Sequence, residues 1–215
     1  MSTTGSRLPS VGCESGHPDE NLPPMGEREE LRNLLAEHSV IFREEGFLLA
    51  SGKRSNYYYD LKQTTLSSPH ALSAAARLIL AKINGLAEHV DAIGGLTSGA
   101  DPLVVAVSLA AMGEGRTLPG FFVREKPKAH GTERLIEGVV RAGMNVVIVD
   151  DVITQGKSVH KAITGAEEQG AHVVHVFILV DREEGGVKFL RDLGYKVEPI
   201  FTHSELISVK QPGPG

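Results

Sequence analysis

Two apolar runs, Val146-Val147-Ile148-Val149 and residues 173–180, constrain this chain more than any other feature. Both are almost continuously apolar and rich in β-branched residues. A helix-length stretch at 156–169 separates them. A strand with one wet face alternates polar and apolar residues, whereas a strand covered on both faces need not. The two runs therefore read as central strands of a parallel sheet, joined by a crossover helix. The alternation extends both ways: apolar segments at 92–93, 121–123 and 197–200 interleave with helical stretches at about 101–112 and 184–193. The expected class is α/β, a mainly parallel central sheet with flanking helices. His172 and His175 interrupt the second run. A buried, hydrogen-bonded imidazole or a strand-end position suits them better than a metal site.

Residues 1–26 are rich in Gly, Pro and Ser and lack apolar periodicity. They are expected to form a disordered tail, and the single cysteine, Cys13, falls inside it. One cysteine excludes an intramolecular disulfide and a cysteine-cluster metal site. The folded domain is expected over 27–215, with a small N-terminal hairpin or hood at about 27–66. There Leu31, Leu34 and Leu35 recur at helical spacing, and Phe47-Leu48-Leu49 pairs with Tyr57-Tyr58-Tyr59 across a turn at 51–56. Ser67-Ser68-Pro69 opens a buried helix that runs to Ile83. With 22 Lys and Arg against 27 Asp and Glu, the net charge is -5. That argues against general affinity for a nucleic acid backbone. No apolar run approaches the ~18 residues of a membrane helix, and the N-terminus lacks the apolar core of a signal peptide. A cytoplasmic protein with no membrane or nucleic acid partner is expected.

The chemistry concentrates at the end of the first apolar run, in Asp150-Asp151-Val152-Ile153-Thr154-Gln155-Gly156-Lys157-Ser158. A buried strand ends in two adjacent carboxylates, and a loop of hydroxyl, glycine and hydroxyl then opens a helix. Ligands of open α/β sheets bind at the carboxyl ends of strands, and a helix N-terminus offers free N–H groups to an anion. Adjacent carboxylates can each accept a hydrogen bond from a vicinal hydroxyl. The segment suits a ligand with a diol and a phosphate, such as a ribose 5-phosphate; simple helix capping by the acids is the bland alternative. A second stretch, 124–138, is polar and punctuated by Gly and Pro, and supplies Arg124, Lys126, Lys128, His130 and Arg134. A loop of this length between two core strands is functional, mobile or both.

The segment 150–158 resembles the phosphoribosyl pyrophosphate (PRPP) motif of the type I phosphoribosyltransferases. Over about residues 27–205 the chain is similar to the orotate phosphoribosyltransferases within that family. Residues 47–52 with 55–60 resemble the family's substrate hairpin, and Gly94 through Pro102 its pyrophosphate loop. Arg124 through Gly138 looks like its mobile catalytic loop, with Lys128-Ala129-His130-Gly131 as the core. Asp181-Arg182 sits where the family has its orotate-binding arginine. Ala50 and Gly99 stand where many members carry lysine, and Glu125 where a second basic residue is common.

The resemblance implies transfer of the 5-phosphoribosyl group of PRPP to orotate, giving orotidine 5′-phosphate and pyrophosphate on the way to UMP. It implies PRPP contacts from Arg124, Glu125, Lys126, Lys128 and His130, and from Asp150, Asp151, Val152, Ile153, Thr154, Gln155, Gly156, Lys157 and Ser158. Lys128, with Arg124 and His130, would be catalytic. Thr154, Arg182, Tyr58 and Tyr59 would contact orotate. Mg²⁺ is expected mainly through PRPP and water, without protein ligands. A homodimer sharing the mobile loop is also implied. The length leaves no room for an additional decarboxylase barrel of ~250 residues, so a monofunctional enzyme is expected. The competing readings are a transferase for another base and a PRPP-sensing regulator that binds nucleic acid. The hairpin and the Lys-x-His-Gly loop argue against the first, and the acidic net charge argues against the second.

Overall fold

The computed structural model describes residues 25–48, 52, 54–126 and 135–210. The N-terminal part comprises α1 (Met25–His38), β1 (Val40–Leu48), β2 (Arg54–Tyr59), α2 (Leu61–Thr65) and α3 (Pro69–Asn84). The next elements are β3 (Ala92–Leu96), α4 (Asp101–Gly113), β4 (Gly120–Val123), β5 (Ile136–Gly138) and β6 (Asn145–Ile153). The chain continues through α5 (Lys157–Glu167), β7 (His172–Asp181), α6 (Gly186–Asp192), β8 (Val197–Thr202) and α7 (His203–Lys210). The expected tail at 1–26, with Cys13, lies almost entirely outside the described residues.

Among the described residues, six strands form one sheet in the order β5-β4-β3-β6-β7-β8. Every pairing is parallel except that of β4 with β5. The two apolar runs are β6 and β7, neighbours at the centre. Alternation along β6 serves both faces. Val147 and Val149 join the core beneath α1, α3 and α4, while Val146 and Ile148 join the core beneath α5 and α6. α3 begins where the sequence signals it: the Ser68 hydroxyl accepts a hydrogen bond from the Ala71 N–H at 3.2 Å, and Pro69 follows.

The structure departs from the sequence reading at several points. β1 starts at Val40, well before Phe47, and its register against β2 shifts between Phe42 and Phe47. Its first half, Val-Ile-Phe-Arg-Glu-Glu, mixes apolar and charged residues and gives no clean period. The end of the stretch read as a loop at 124–138 is strand β5, held antiparallel to β4. Residues 127–134 of that stretch lie outside the described residues. The one-turn helix α2 and the terminal helix α7 are too short or too mixed to show as periodic patterns. His172 is an exposed strand-end residue, as expected. His175 is half-buried and stacks on Phe177 with ring centroids 4.4 Å apart. Its ring nitrogens make no hydrogen bond among the described residues; Glu198 lies 3.7 Å away. The expected hydrogen-bonded imidazole is therefore replaced by a packed one, and burial lowers its pKa.

Among the described residues, no helix is long and apolar enough to cross a membrane.

Candidate active site

The strand order locates the site. From β3 the chain crosses outward to β4, and from β6 it crosses the other way to β7 and β8. The reversal opens a crevice between the carboxyl ends of β3 and β6, where ligands of such sheets bind. The turn after β3 and the Asp150–Ser158 segment meet there. Their closeness is measurable at Gly99: a Cβ on this residue would lie 2.7 Å from an oxygen of Asp150 and 2.7 Å from one of Asp151. Any side chain at position 99 would have to push into both acids.

Asp150 is buried, and Asp151 is half-buried. Each carboxylate accepts the N–H of the residue after it, Asp150 from Asp151 at 3.0 Å and Asp151 from Val152 at 2.8 Å. Those bonds fix the two headgroups side by side. Burial pushes the Asp150 carboxyl well above the usual carboxylate range, and the Asp151 charge pushes the same way. Burial also raises Asp151, against the Val152 N–H and the Lys62 ammonium, which both lower it. The cation acting on the pair is Lys62, at the start of α2. Its Nζ donates to the Ser98 hydroxyl at 3.0 Å, in the turn after β3. Sequence reasoning missed this lysine, because only the tertiary fold carries α2 to the crevice.

The raised acids have a stability consequence. An unfolded Asp releases its proton near pH ~4. The folded pair holds its protons to higher pH, so between the two values the native state binds more protons. Stability is then greatest on the acid side of this window and falls as pH rises through the folded pKa values. Asp150→Asn removes much of that loss. In thermal melts of the ligand-free protein, the variant's advantage over wild type is expected to widen from pH 4 to 7. A constant gap would contradict the buried-charge argument.

Thr154, Gln155 and Gly156 turn the chain from β6 into α5. Gly156 has φ +79°, a conformation that favours glycine. It also has no room for a side chain, since a Cβ would sit 3.0 Å from the Gly186 carbonyl oxygen. α5 begins without a side-chain cap, so its first N–H groups stay available to an anion. The segment from Val152 to Val159 lines a concavity of about 270 Å³. Every residue of the sequence-derived PRPP motif from Val152 to Ser158 is in it, while Asp150 and Asp151, which precede them on β6, do not line it.

Arg182, the arginine that the resemblance sets against orotate, is buried, at 9% exposure. It pairs with Glu184 at 2.7 Å. It also donates to the Ser55 hydroxyl and the Tyr57 carbonyl, each at 3.3 Å, and its guanidinium lies 5.1 Å from the centre of the Tyr59 ring. The arginine thus fastens the β1–β2 hairpin to the end of β7. Tyr59 is buried, with its hydroxyl hydrogen-bonded to His203 Nδ1. Burial raises the Tyr59 pKa and lowers that of His203, so both are neutral near pH 7. Tyr58 points the other way and packs on Phe47, with ring centroids 5.5 Å apart. The structure gathers Arg182, Tyr57 and Tyr59 on one face and leaves Tyr58 on the other. Neighbouring strand residues must split in this way.

Arg124 leaves the end of β4 and donates to Glu137 on β5 at 2.6 Å. The Glu125 carbonyl accepts from Lys161 on α5. Lys126 is exposed. Lys128, His130, Gly131 and Arg134 lie outside the described residues. No group of three or more His, Cys, Asp or Glu among the described residues could hold a metal ion. Two adjacent carboxylates can nonetheless face an ion whose remaining ligands are phosphate oxygens and water, the usual habit of Mg²⁺.

A reversed parallel sheet with paired acids and an anion cradle at its crevice defines a phosphoribosyltransferase. The phosphoribosyl transferase domain family matches residues 62–190, and the chain belongs to it. Its relatives narrow the assignment. The orotate phosphoribosyltransferase of Aquifex aeolicus is 38% identical over 186 residues, covering 85% of this chain and 99% of the relative. Two crystal structures of orotate phosphoribosyltransferase from Mycobacterium tuberculosis share the fold. One, 33% identical, superposes with TM-score 0.72 over 84% of this chain and 98% of the other. The other, 30% identical and in complex with PRPP, superposes at 0.68 with the same coverage. Within its family, the chain is a member of the orotate phosphoribosyltransferase group.

Proposed function

We infer that the chain transfers the 5-phosphoribosyl group of PRPP to orotate, releasing pyrophosphate and forming orotidine 5′-phosphate for UMP synthesis. The observation that carries this reading is the convergence of Asp150, Asp151 and the 152–159 cradle on the turn after β3. One crevice thereby offers acceptors for a diol, donors for a terminal phosphate and room for a leaving group.

The ionised Asp150 and Asp151 accept hydrogen bonds from the ribose hydroxyls and set the sugar's orientation. The N-terminal N–H groups of α5, with the Thr154 and Ser158 hydroxyls, hold the 5-phosphate. With both ends of the sugar fixed, C1 faces one direction only. Lys128, with Arg124 and His130, meets the negative charge that grows on the departing pyrophosphate. Arg182, Thr154 and Tyr59 are assigned to the base, since a guanidinium fork suits orotate's carboxylate and carbonyl edges. The hairpin fastened by Arg182 would help to exclude water from an oxocarbenium-like centre. Mg²⁺, carried on PRPP, would neutralise part of the pyrophosphate charge.

A homodimer acting in the cytoplasm completes the proposal. An exposed apolar stripe on α4, Val105, Leu109 and Met112 at 50%, 57% and 67% exposure, gives a second copy a surface to cover.

The test is ultraviolet absorbance of orotate in the presence of PRPP and Mg²⁺. Orotate is expected to disappear in step with pyrophosphate release. Consumption of adenine or another base instead would move the chain to a different transferase, and no consumption of any base would favour a regulator.

A further inference from the structure

We propose that Lys62 is a pyrophosphate-binding cation of this site, its ammonium held by Ser98 above the turn that abuts the two carboxylates. The proposal rests on the reading of the crevice as a PRPP site and adds to it a residue from outside the sheet's own loops.

The crevice has a charge problem that the turn after β3 does not itself solve. Asp150 and Asp151 lie side by side, and Gly99 brings the turn after β3 to within a side chain's thickness of both. A pyrophosphate placed in that turn adds several negative charges beside two carboxylates. The turn carries no compensating cation, since residues 94–100 contain neither Lys nor Arg. Arg124, at the end of the neighbouring strand, pairs with Glu137 in the ligand-free protein. Lys161 is engaged with the Glu125 carbonyl.

Lys62 comes from the hood. α2 follows directly on β2, and its first turn carries the lysine across to the Ser98 hydroxyl at 3.0 Å. No carboxylate among the described residues pairs with it. One of its three donors is used, leaving two for an anion. Its field reaches Asp101, Asp150 and Asp151 and lowers the pKa of each, against the upward push of burial. In the free protein the ammonium therefore eases the repulsion within the acid pair. With PRPP bound it adds a positive charge on the hood side of the leaving group, next to the two acids and apart from the basic residues of 124–134.

The bland alternative is a brace: Lys62 steadies the turn through Ser98 and never touches ligand. Charge and shape separate the two. Lys62→Gln keeps a donor and most of the reach but loses the charge, while Lys62→Arg keeps the charge. The full-length chain would be titrated calorimetrically with inorganic pyrophosphate plus Mg²⁺, and with ribose 5-phosphate, which lacks the pyrophosphate. Lys62→Gln is expected to weaken pyrophosphate binding by roughly tenfold to a hundredfold, the scale of a hydrogen bond to a charged group. It should leave ribose 5-phosphate binding within about twofold of wild type. Lys62→Arg should hold pyrophosphate within about threefold of wild type. Pyrophosphate bound as tightly by the Gln variant as by wild type would overturn the proposal. So would equal losses for both ligands, which mark a distorted site, or an Arg variant as weak as the Gln variant. These titrations need no base. A wild-type chain that ignored orotate would defeat the assigned substrate and leave the Lys62 result to stand or fall alone.

Discussion

Replacing Asp150 and Asp151 together by Asn is expected to abolish saturable PRPP binding in a protein that has become harder to unfold. The two effects share one cause. A carboxylate that accepts a sugar hydroxyl makes a charge-assisted bond of roughly 1.5–3 kcal/mol. Losing two such bonds weakens binding by about 10²- to 10⁴-fold. The same charges are a burden to the empty protein, where burial raises both pKa values. An Asn Oδ1 can still accept the N–H of Asp151 or of Val152, so the turn keeps its geometry. Neutralisation should then raise the melting temperature by roughly 2–4 °C, the shift for about 1 kcal/mol in a domain of this size. Calorimetric titration with PRPP and thermal melts of the ligand-free variant read the two effects separately. Unchanged PRPP binding would end the diol assignment. A lower melting temperature would end the buried-charge account and leave any binding loss explained by misfolding.

Lys128→Ala is expected to reduce turnover by about 10²- to 10³-fold, the usual cost of removing one donor aimed at developing negative charge. Pyrophosphate gains charge as its bond to C1 stretches, so a cation that engages it then lowers the barrier more than it tightens the ground state. KM for PRPP should rise much less than kcat falls. Because Lys128 lies outside the described residues, this expectation rests on the Lys-Ala-His-Gly sequence and its place between β4 and β5. Initial rates at saturating orotate, with melting temperature as a folding control, provide the check. Activity near wild type would show that another group meets the leaving charge.

Much of this molecule can be read from its sequence because its central strands are apolar throughout. β6 and β7 announce themselves, and the acids and glycine that end β6 mark a ligand loop before any coordinates are known. β3 was harder, since Gly94 and Gly95 interrupt an apolar reading at positions that the fold fully buries. The hood was harder still. The mixed first half of β1 and the five residues of α2 have no period long enough to detect. The same limit hid Lys62, whose importance depends on which turn it faces. The burial of Arg182 is likewise invisible in the sequence, because its neighbours, Ser55, Tyr57 and Tyr59, lie far away along the chain.

That distance also bears on how the protein is made. Arg182 and Ser55 are separated by 127 positions, so a ribosome has released nearly all of the sheet before the clamp for the hairpin exists. Synthesis proceeds from the N-terminus, and the early hairpin, with Phe42 and Leu48 outward, must wait unfastened until the seventh strand emerges. Nascent chains halted before that strand should therefore leave the hairpin open to protease.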